Sequence, residues 1–442
     1  MNDPALILLV TSVLAVTVFL VTLVNTNAAL TLLIFSMLLS PEISLAQLPG
    51  RAVVVRFDDL LLGIVFFSWL AKLAINKELA LLRSTPLNVP LGLFTLSCFI
   101  STGWGVINET VPSPTASFFY LLKYTEYFAL YFMVANVIRE RRQAVWFLTA
   151  MLITAAIVTG FGYWQMATYG TGGRITTPFE GEHPEPNTLA GYLVVMMGIC
   201  GGLALYQPSL RIRLLLMVLI AAMILPLVFT YSRGGYVGFL VMYLTLCLLS
   251  RRYQPVLFIL LLAGIVIVPL VMPQTVLDRI VLTIDPLSKT RLFGIPLTSS
   301  AAIRVEVWPW LFERLGRHPF LGFGITGVGL MDSQHALVLG ELGVVGFAVY
   351  LWIRWRLLTI VHQTFRTHHD PFVKGLNLGF LASLIALLVH SFAANIFIIV
   401  RIMEPFWFLA AMVMVLPQAA PTAAQSPSRE PSARPAVVMA RP

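Results

Sequence analysis

The sequence reads Phe229-Thr230-Tyr231-Ser232-Arg233-Gly234-Gly235-Tyr236-Val237-Gly238 where two long apolar runs, 211–230 and 234–250, meet. A single arginine interrupts this apolar region. Placing an arginine at membrane depth costs roughly 3 kcal/mol on insertion scales, so such a residue is by default a candidate functional residue. The structural alternative is an arginine at a helix end whose charged group reaches the lipid headgroups.

The composition is that of a membrane protein. Of the 442 residues, 58% are hydrophobic and 11% are charged, which is far from the usual mixture of a globular domain. The apolar runs are nearly continuous, whereas a transmembrane β-barrel needs alternating strands of about ten residues. We therefore predict an all-α fold, a polytopic bundle of transmembrane helices. The net charge of +9 is explained by cytoplasmic loops, and no nucleic-acid partner is predicted.

Counting the apolar runs predicts 12 or 13 membrane spans, depending on whether the first two, separated by a hinge at Asn25-Thr26-Asn27, both cross. The predicted spans are 5–24, 28–43, 58–76, 88–106, 118–138, 144–164, 187–206, 211–230, 234–250, 254–272, 335–355, 375–396 and 398–416. They form a bundle over residues 1–416 into which an extracytoplasmic loop domain, 273–334, is inserted. The tail 417–442, rich in Pro, Ala and Ser, is predicted to be disordered in the cytoplasm.

Lysine and arginine in the short connections predict the orientation. One alternating set of loops is basic and should be cytoplasmic: Lys77, Arg83, Arg139, Arg141, Arg142, Arg211, Arg213, Arg251, Arg252, Arg354, Arg356 and Arg366. The Arg233 turn and the segment 273–334 are then extracytoplasmic. Arg51 and Arg56 also fall on that outer side and violate the rule. Within 273–334 we predict a short helix from Ser299-Ser300 and, after His318-Pro319, an irregular return to the membrane.

Polar side chains inside the predicted spans lie near their outer ends: Lys123, Glu126, His390, Arg401 and Glu404. Each is expensive in lipid, so together with Arg233 they predict a polar cavity that opens outward. We predict Lys123, His390 and Arg401 as substrate-binding residues. The structural alternative is that Lys123–Glu126 and Arg401–Glu404, each spaced i, i+3, are pairs within one helix that hold helices together.

Arg233 and Arg304 fit a phosphate or diphosphate ligand, because guanidinium groups bind phosphate oxygens bidentately and two of them need no metal. His335 is the best candidate for a general base, since an imidazole accepts a proton near neutral pH. A histidine at a helix start is also frequently structural. The three cysteines, Cys98, Cys200 and Cys247, all lie in apolar runs, and we predict neither a disulfide framework nor a metal site.

Further motifs follow in a fixed order. Upstream of the arginine turn lie Gly173-Arg174-Ile175 and Pro186-Asn187-Thr188-Leu189-Ala190; downstream lie Arg304-x-x-x-Trp308, His318-Pro319-Phe320-Leu321-Gly322-Phe323-Gly324, and His335 with Glu341-Leu342-Gly343-Val344-Val345-Gly346. In order and spacing this set, which covers roughly residues 115–415, resembles the O-antigen ligase and O-antigen polymerase superfamily.

The resemblance implies a metal-independent membrane glycosyltransferase of the GT-C type, without a cofactor, at the outer face of the bacterial cytoplasmic membrane. Its donor would be an undecaprenyl-diphosphate-linked glycan. Its acceptor would be a hydroxyl group on a lipid core, a growing polysaccharide or a protein. Carried over by motif, Arg233 and Arg304 would contact the lipid diphosphate, and His335 would activate the acceptor hydroxyl. Arg174 would contact the glycan or the diphosphate.

The chain departs from the family at Ala336, where an asparagine is frequent, and Gln334 is the predicted substitute partner of His335. Two other functions stay open. Asp58-Asp59 would be the acid and base of a GT-C transferase for polyprenyl-monophosphate sugars, although adjacent acids at a helix start more often favour the helix dipole. A transporter or flippase for lipid-linked sugars would use the same outward cavity without catalysis.

Overall fold

The computed structural model describes residues 4–48, 51–75, 82–170, 173–181, 184–271, 291–292, 295–296, 299–329 and 331–418. The α-helices of these residues are α1 (Pro4–Val24), α2 (Thr26–Leu39), α3 (Phe57–Ile75), α4 (Asn88–Ile107), α5 (Pro114–Val137), α6 (Arg141–Tyr169), α7 (Pro186–Tyr206), α8 (Leu210–Phe229), α9 (Arg233–Leu249), α10 (Gln254–Val271), α11 (Ser299–Leu315), α12 (Gln334–Thr367), α13 (Pro371–His390) and α14 (Val400–Val415). Two short antiparallel hairpins pair β1 (Glu42–Leu48) with β2 (Arg51–Arg56), and β3 (Arg291–Leu292) with β4 (Ile295–Pro296).

The structure confirms a bundle of apolar helices. Among the described residues, seven helices are long and apolar enough to cross a membrane, and four more apolar helices are shorter. Every predicted span overlaps one of the helices above, because a segment in lipid must bond each backbone N–H and C=O within itself. The spans 28–43 and 375–396 were predicted too long, since the helices end at Leu39 and His390. The number of helices that cross, the GT-C relationship and the outer loop domain stay predictions. Residues 419–442 of the predicted tail lie outside the described residues.

The central helices α7 and α13 touch along their backbones. The contact is made by four glycines, Gly198 and Gly202 of α7 and Gly375 and Gly379 of α13. A Cβ added to Gly375 would lie 2.8 Å from the carbonyl oxygen of Gly202. In lipid, such close packing replaces hydrophobic burial as the main force between helices. The two helices, whose side chains are mostly buried, therefore form a rigid centre.

A non-helical segment, described at 316–329 and 331–333, is packed among the helices. Gly343, at φ +63° and ψ −170°, breaks α12 after its first turns, and the segment bonds to this break. Phe323 N donates to Gly340 O at 3.0 Å and Gly324 N to Glu341 O at 2.9 Å. On the other side, the Ser101 hydroxyl of α4 donates to Glu341 O at 2.6 Å. Irregular backbone inside a bundle needs such partners. The irregular backbone predicted after His318-Pro319 is present, and its return to the membrane stays a prediction.

The prediction that Arg354 lies with Arg356 and Arg366 in a cytoplasmic loop is wrong for Arg354. The helix α12 continues to Thr367, and Arg354 lies inside it with 7% of its surface exposed. Its guanidinium carbon is 3.8 Å from the ring centroid of Tyr350 and 4.4 Å from that of Phe397. Aromatic faces stabilise a desolvated cation. This contact between side chains distant in sequence explains why loop charge alone misplaced Arg354.

Gly202→Ala tests the backbone contact. A Cβ at Gly202 would meet backbone atoms of Gly375 and Gly379, which cannot move aside as a flexible side chain can. We expect a loss of about 1–3 kcal/mol of stability, measured as a lower Tm of the purified protein in detergent. Gly92→Ala of α4 is the matched control, since no described atom lies within 4 Å of a Cβ there. An unchanged Tm in Gly202→Ala would contradict the proposed contact.

Candidate functional site

Arg233 is the first residue of α9, and its backbone position is fixed by Ser232. The Ser232 hydroxyl accepts a hydrogen bond from Gly235 N at 3.1 Å, as an N-cap, and donates to Asn187 Oδ1 at 2.6 Å. Asn187 lies in the first turn of α7. Tyr231 precedes this cap with φ +53°, a conformation that a tyrosine rarely adopts. The start of α9, whose N-terminal N–H groups favour anions, is therefore locked against α7.

Arg174 lies beside the same turn. Ile175 N donates to Phe229 O at 3.2 Å, and Arg174 Nε donates to Thr230 O at 3.2 Å. Through these two bonds, the segment that precedes α7 lies along the end of α8. The exposed Arg174 side chain and the half-buried Arg233 are thereby brought to one end of the bundle.

His390, the last residue of α13, lies against this turn. A Cβ added to Gly234 would be 2.7 Å from His390 Nε2 and 2.5 Å from its Cδ2, so only glycine leaves room for the ring. The histidine is 1% exposed. The end of α13 and the start of α9 thus meet at Gly234, the residue that follows Arg233.

His335 contacts this group through Ser391, the residue that follows His390. The His335 Nε2 atom is 2.9 Å from Ser391 Oγ and 3.3 Å from Leu388 O. A backbone bond from Gln334 N to Ser391 O, 2.9 Å long, holds the two segments together. The starts of α9 and α12 and the end of α13 therefore converge around His390 and Ser391.

The hydrogen bonds of His335 indicate its tautomer. A carbonyl oxygen only accepts, so the contact with Leu388 O favours a proton on Nε2 and leaves Nδ1 as the basic nitrogen. Among the residues that the structure describes, none bonds to Nδ1. The prediction that Gln334 is the partner of His335 is wrong, because the Gln334 side chain accepts a bond from Phe397 N at 3.0 Å instead.

Arg304 falls within α11, as the predicted helix from Ser299 requires. The position of its side chain lies outside the described residues. Its proximity to Arg233 therefore stays a prediction from the sequence.

Arg401 is a structural residue and not the predicted substrate-binding one. Its five N–H groups bond to one carboxylate and four carbonyl oxygens: Glu42 Oε1 (3.2 Å), Leu38 O (2.8 Å), Pro178 O (2.7 Å), Ser40 O (3.1 Å) and Phe179 O (3.1 Å). Since an arginine has only five such donors, none is left for a ligand. The predicted pairing of Arg401 with Glu404 is also wrong, because the carboxylate that Arg401 contacts is Glu42.

Glu404 belongs to a buried ion cluster with Arg56. The Arg56 side chain contacts Glu404 Oε2 at 3.3 Å and, through Nε, Asp58 Oδ1 at 2.8 Å. The hydroxyl of Ser40 donates to the same Asp58 oxygen at 2.7 Å. These ion pairs explain why Arg56 lies on the predicted outer side against the charge rule: its charge is matched by buried carboxylates rather than by the cytoplasm.

Lys123 forms ion pairs with two acids, and its predicted contact with the substrate stays a prediction. Its Nζ contacts the carboxylate of Asp59 and lies 3.5 Å from Glu126 Oε2. The predicted pair with Glu126 is present, but Asp59 of α3 makes it a link between helices. Its charge is balanced by these two acids, and no described contact joins it to the Arg233 group.

Asp58, Asp59 and Glu404 offer oxygen atoms within 4.8 Å of one another, the donor type that hard cations prefer. Arg56 contacts two of these three carboxylates. We interpret the group as a structural ion cluster, and neither aspartate is free of protein partners for the acid and base roles of a monophosphate-sugar transferase.

The residues that the sequence interpretation missed are Ser391, Glu42 and, as a contact, Asn187. Ser391 is signalled only by its position directly after His390 at the end of a predicted span. Glu42 and Asn187 lie far along the chain from the residues that they bind, Arg401 and Ser232. Pairings of this kind have no local pattern in the sequence.

Arg401→Gln tests the structural role. The substitution leaves Glu42 and several buried carbonyl groups without donors, so we expect a loss of about 3–5 kcal/mol and a strongly lowered Tm. Arg317→Gln is the matched control, and its exposed side chain should change stability by less than about 0.5 kcal/mol. Equal Tm values for the two variants would refute the structural assignment.

The raised pKa of the Glu180 carboxyl should make the stability of the protein depend on pH. Burial raises the pKa of its carboxyl from 4.5 to about 7, against the bond from Thr177 Oγ1 and the nearby charge of Arg401, which lower it. Between pH 4.5 and 7 the folded state thus holds a proton that the unfolded state releases, so stability falls as pH rises through this window. We expect Tm to decline accordingly and Glu180→Gln to flatten that decline. Glu109→Gln, an exposed carboxylate, should leave the slope unchanged; a wild-type slope in Glu180→Gln would contradict the assignment.

No protein-family model matches this chain, and no curated protein matches it in sequence. The function must therefore be argued from the residues themselves.

Proposed function

We propose that the protein is an O-antigen ligase-like glycosyltransferase of the bacterial cytoplasmic membrane. It transfers a glycan from an undecaprenyl-diphosphate-linked donor to an acceptor hydroxyl on a lipid core, a growing polysaccharide or a protein. The reaction takes place at the outer face of the membrane without a metal. The proposal rests on the ordered motifs of the sequence and on the side chains that meet at one end of the bundle.

The observation that carries the proposal is the meeting of the Arg233 turn with His335. The two are 102 positions apart in the chain, and the pair His390–Ser391 lies between them: His390 against Gly234, and Ser391 Oγ 2.9 Å from His335 Nε2. A cation next to a helix N-terminus and an imidazole with one bonded nitrogen are the two groups that displacement of a diphosphate by a hydroxyl requires.

In this reaction His335 Nδ1 accepts the proton of the acceptor hydroxyl while its oxygen attacks the anomeric carbon of the donor. Ser391 and Leu388 hold Nε2–H and orient the ring, as the third group of a catalytic arrangement does. The bond from the anomeric carbon to the diphosphate oxygen breaks, and the lipid diphosphate leaves with the electron pair.

Arg233, with Arg304 as the predicted second guanidinium, stabilises the charge that develops on the departing diphosphate. The N–H groups at the start of α9 add to this stabilisation. Arg174, held to Thr230 by its Nε, is placed to bind the diphosphate or the first sugars. His390 packs against Gly234 from the α13 side and supports the turn that presents Arg233, instead of the direct substrate contact predicted from the sequence.

Transfer by the purified protein tests these roles. With an undecaprenyl-diphosphate-linked glycan and a hydroxyl acceptor in liposomes, His335→Ala should lower the rate about 10²- to 10⁴-fold. Arg233→Ala should lower it about 10²- to 10³-fold. The matched controls, His369→Ala and Arg251→Ala, replace exposed residues outside the proposed site and should keep the wild-type rate.

A wild-type rate in His335→Ala would refute the general base. Movement of the donor across the liposome membrane without any transfer would instead support a flippase. Deletion of the protein from its host then distinguishes the acceptors: glycan lost from a lipid anchor indicates a ligase, glycan shortened to single repeats indicates a polymerase, and glycan missing from a protein indicates a protein acceptor.

A further inference from the structure

A polar cavity of about 450 Å³ opens at the end of the bundle opposite the Arg233 turn. It lies where α1, α3 and α5 end and α2 and α6 begin. Its volume is within the range of about 300–1,000 Å³ that is typical of ligand sites. Loop charges predict this end to be cytoplasmic.

Three cations line the cavity, Lys72, Arg83 and Arg139, and no carboxylate is among its lining residues in the described part of the chain. Lys72 Nζ, half-buried on the last turn of α3, bonds to the Thr26 hydroxyl at 3.1 Å. Arg83 donates to Ile138 O at 3.1 Å. These partners are neutral. The groove that adjoins the cavity adds one acid, Glu140, and one further cation, Arg142. The described charge of the two spaces is therefore positive, and an anion is the complementary ligand.

The positive-inside rule accounts for basic residues at this end of the bundle, but not for their grouping around one cavity. Lys72 is half-buried in the last turn of α3 and lines that cavity. The first residues of α2 and α6, near Asn27 and Gln143, also border the cavity, and helix N-termini add positive potential.

The cavity continues into a largely apolar groove of about 790 Å³ between α2 and α6. The two spaces share Asn25, Asn27 and Gln143. From there the groove runs along both helices as far as Thr31 and Thr149, so a cationic pocket at the membrane surface leads into a channel at the depth of acyl chains.

We propose that this site binds an anionic phospholipid of the cytoplasmic leaflet. Its phosphate lies among Lys72, Arg83 and Arg139, and an acyl chain lies in the groove between α2 and α6. Basic pockets between transmembrane helices at the cytoplasmic side are suited to such headgroups. The inference is independent of the proposed transfer reaction, since its residues lie at the other end of the bundle.

Lipid binding to the delipidated full-length protein in an uncharged detergent tests the proposal, with native mass spectrometry as the readout. Phosphatidylglycerol should bind more tightly than phosphatidylcholine. Lys72→Gln/Arg139→Gln should weaken phosphatidylglycerol binding about thirtyfold, because each cation near the surface contributes about 1 kcal/mol. Arg139→Gln alone, on an exposed side chain, should weaken it about fivefold and serves if the double variant does not fold.

The matched control is Arg251→Gln/Arg252→Gln, which removes the same charge at the same predicted face but outside the cavity. It should bind phosphatidylglycerol as the wild type does. Ala28→Trp, which fills the groove, should weaken binding of both lipids. Equal affinity for the two lipids, an equal loss in the control, or wild-type binding in Arg139→Gln would overturn the proposal. Inorganic phosphate that competes as strongly as the lipid would show an anion site without a lipid and would overturn it too.

Discussion

The end of the bundle that carries the candidate site depends on the burial of one guanidinium. Arg401 is 1% exposed, and an arginine keeps its charge in proteins, so each of its donors must find an acceptor. The acceptors come from the end of α2, from Glu42 of β1 and from Pro178-Phe179. A single side chain thereby fixes three segments against the start of α14.

This constraint positions the candidate site indirectly. The segment that contains Pro178 and Phe179 connects Arg174, bonded to the end of α8, with Asn187, which accepts a hydrogen bond from the N-cap Ser232. Once Arg401 holds the middle of that segment, both of its ends are restrained. The position of Arg233 at the start of α9 therefore depends on Arg401 of α14 through this segment, and not through a direct bond between the two arginines.

The sequence predicted the helices well and the pairings between them poorly. Apolar runs give the helix bounds because lipid admits only backbone that satisfies its own hydrogen bonds. The i, i+3 spacing of Arg401 and Glu404 suggested a pair within one helix, but each residue binds a partner from the first 60 residues, Glu42 or Arg56. Tertiary contacts decide which residues pair, and these contacts produce no periodic pattern in the sequence.

The same limit applies to the candidate site. The order of the motifs predicts that Arg174, Arg233 and His335 lie together, and the structure places their segments at one end of the bundle. Gln334 was predicted as the partner of His335 because the two residues are adjacent in the chain, but adjacency in a helix does not bring two side chains together. Ser391 lies 56 positions away and reaches the histidine only because α13 ends beside the first turn of α12.

The glycine contact between α7 and α13 has a consequence for how specificity can change. Both helices carry residues of the candidate site, Asn187 at the start of α7 and His390 at the end of α13, and their backbones are too close to slide or separate. We therefore expect adaptation to a different substrate to proceed through the connecting segments, described at 173–181 and 316–329. We expect sequence divergence among functional variants of this fold to concentrate there, around an unchanging pair of helices.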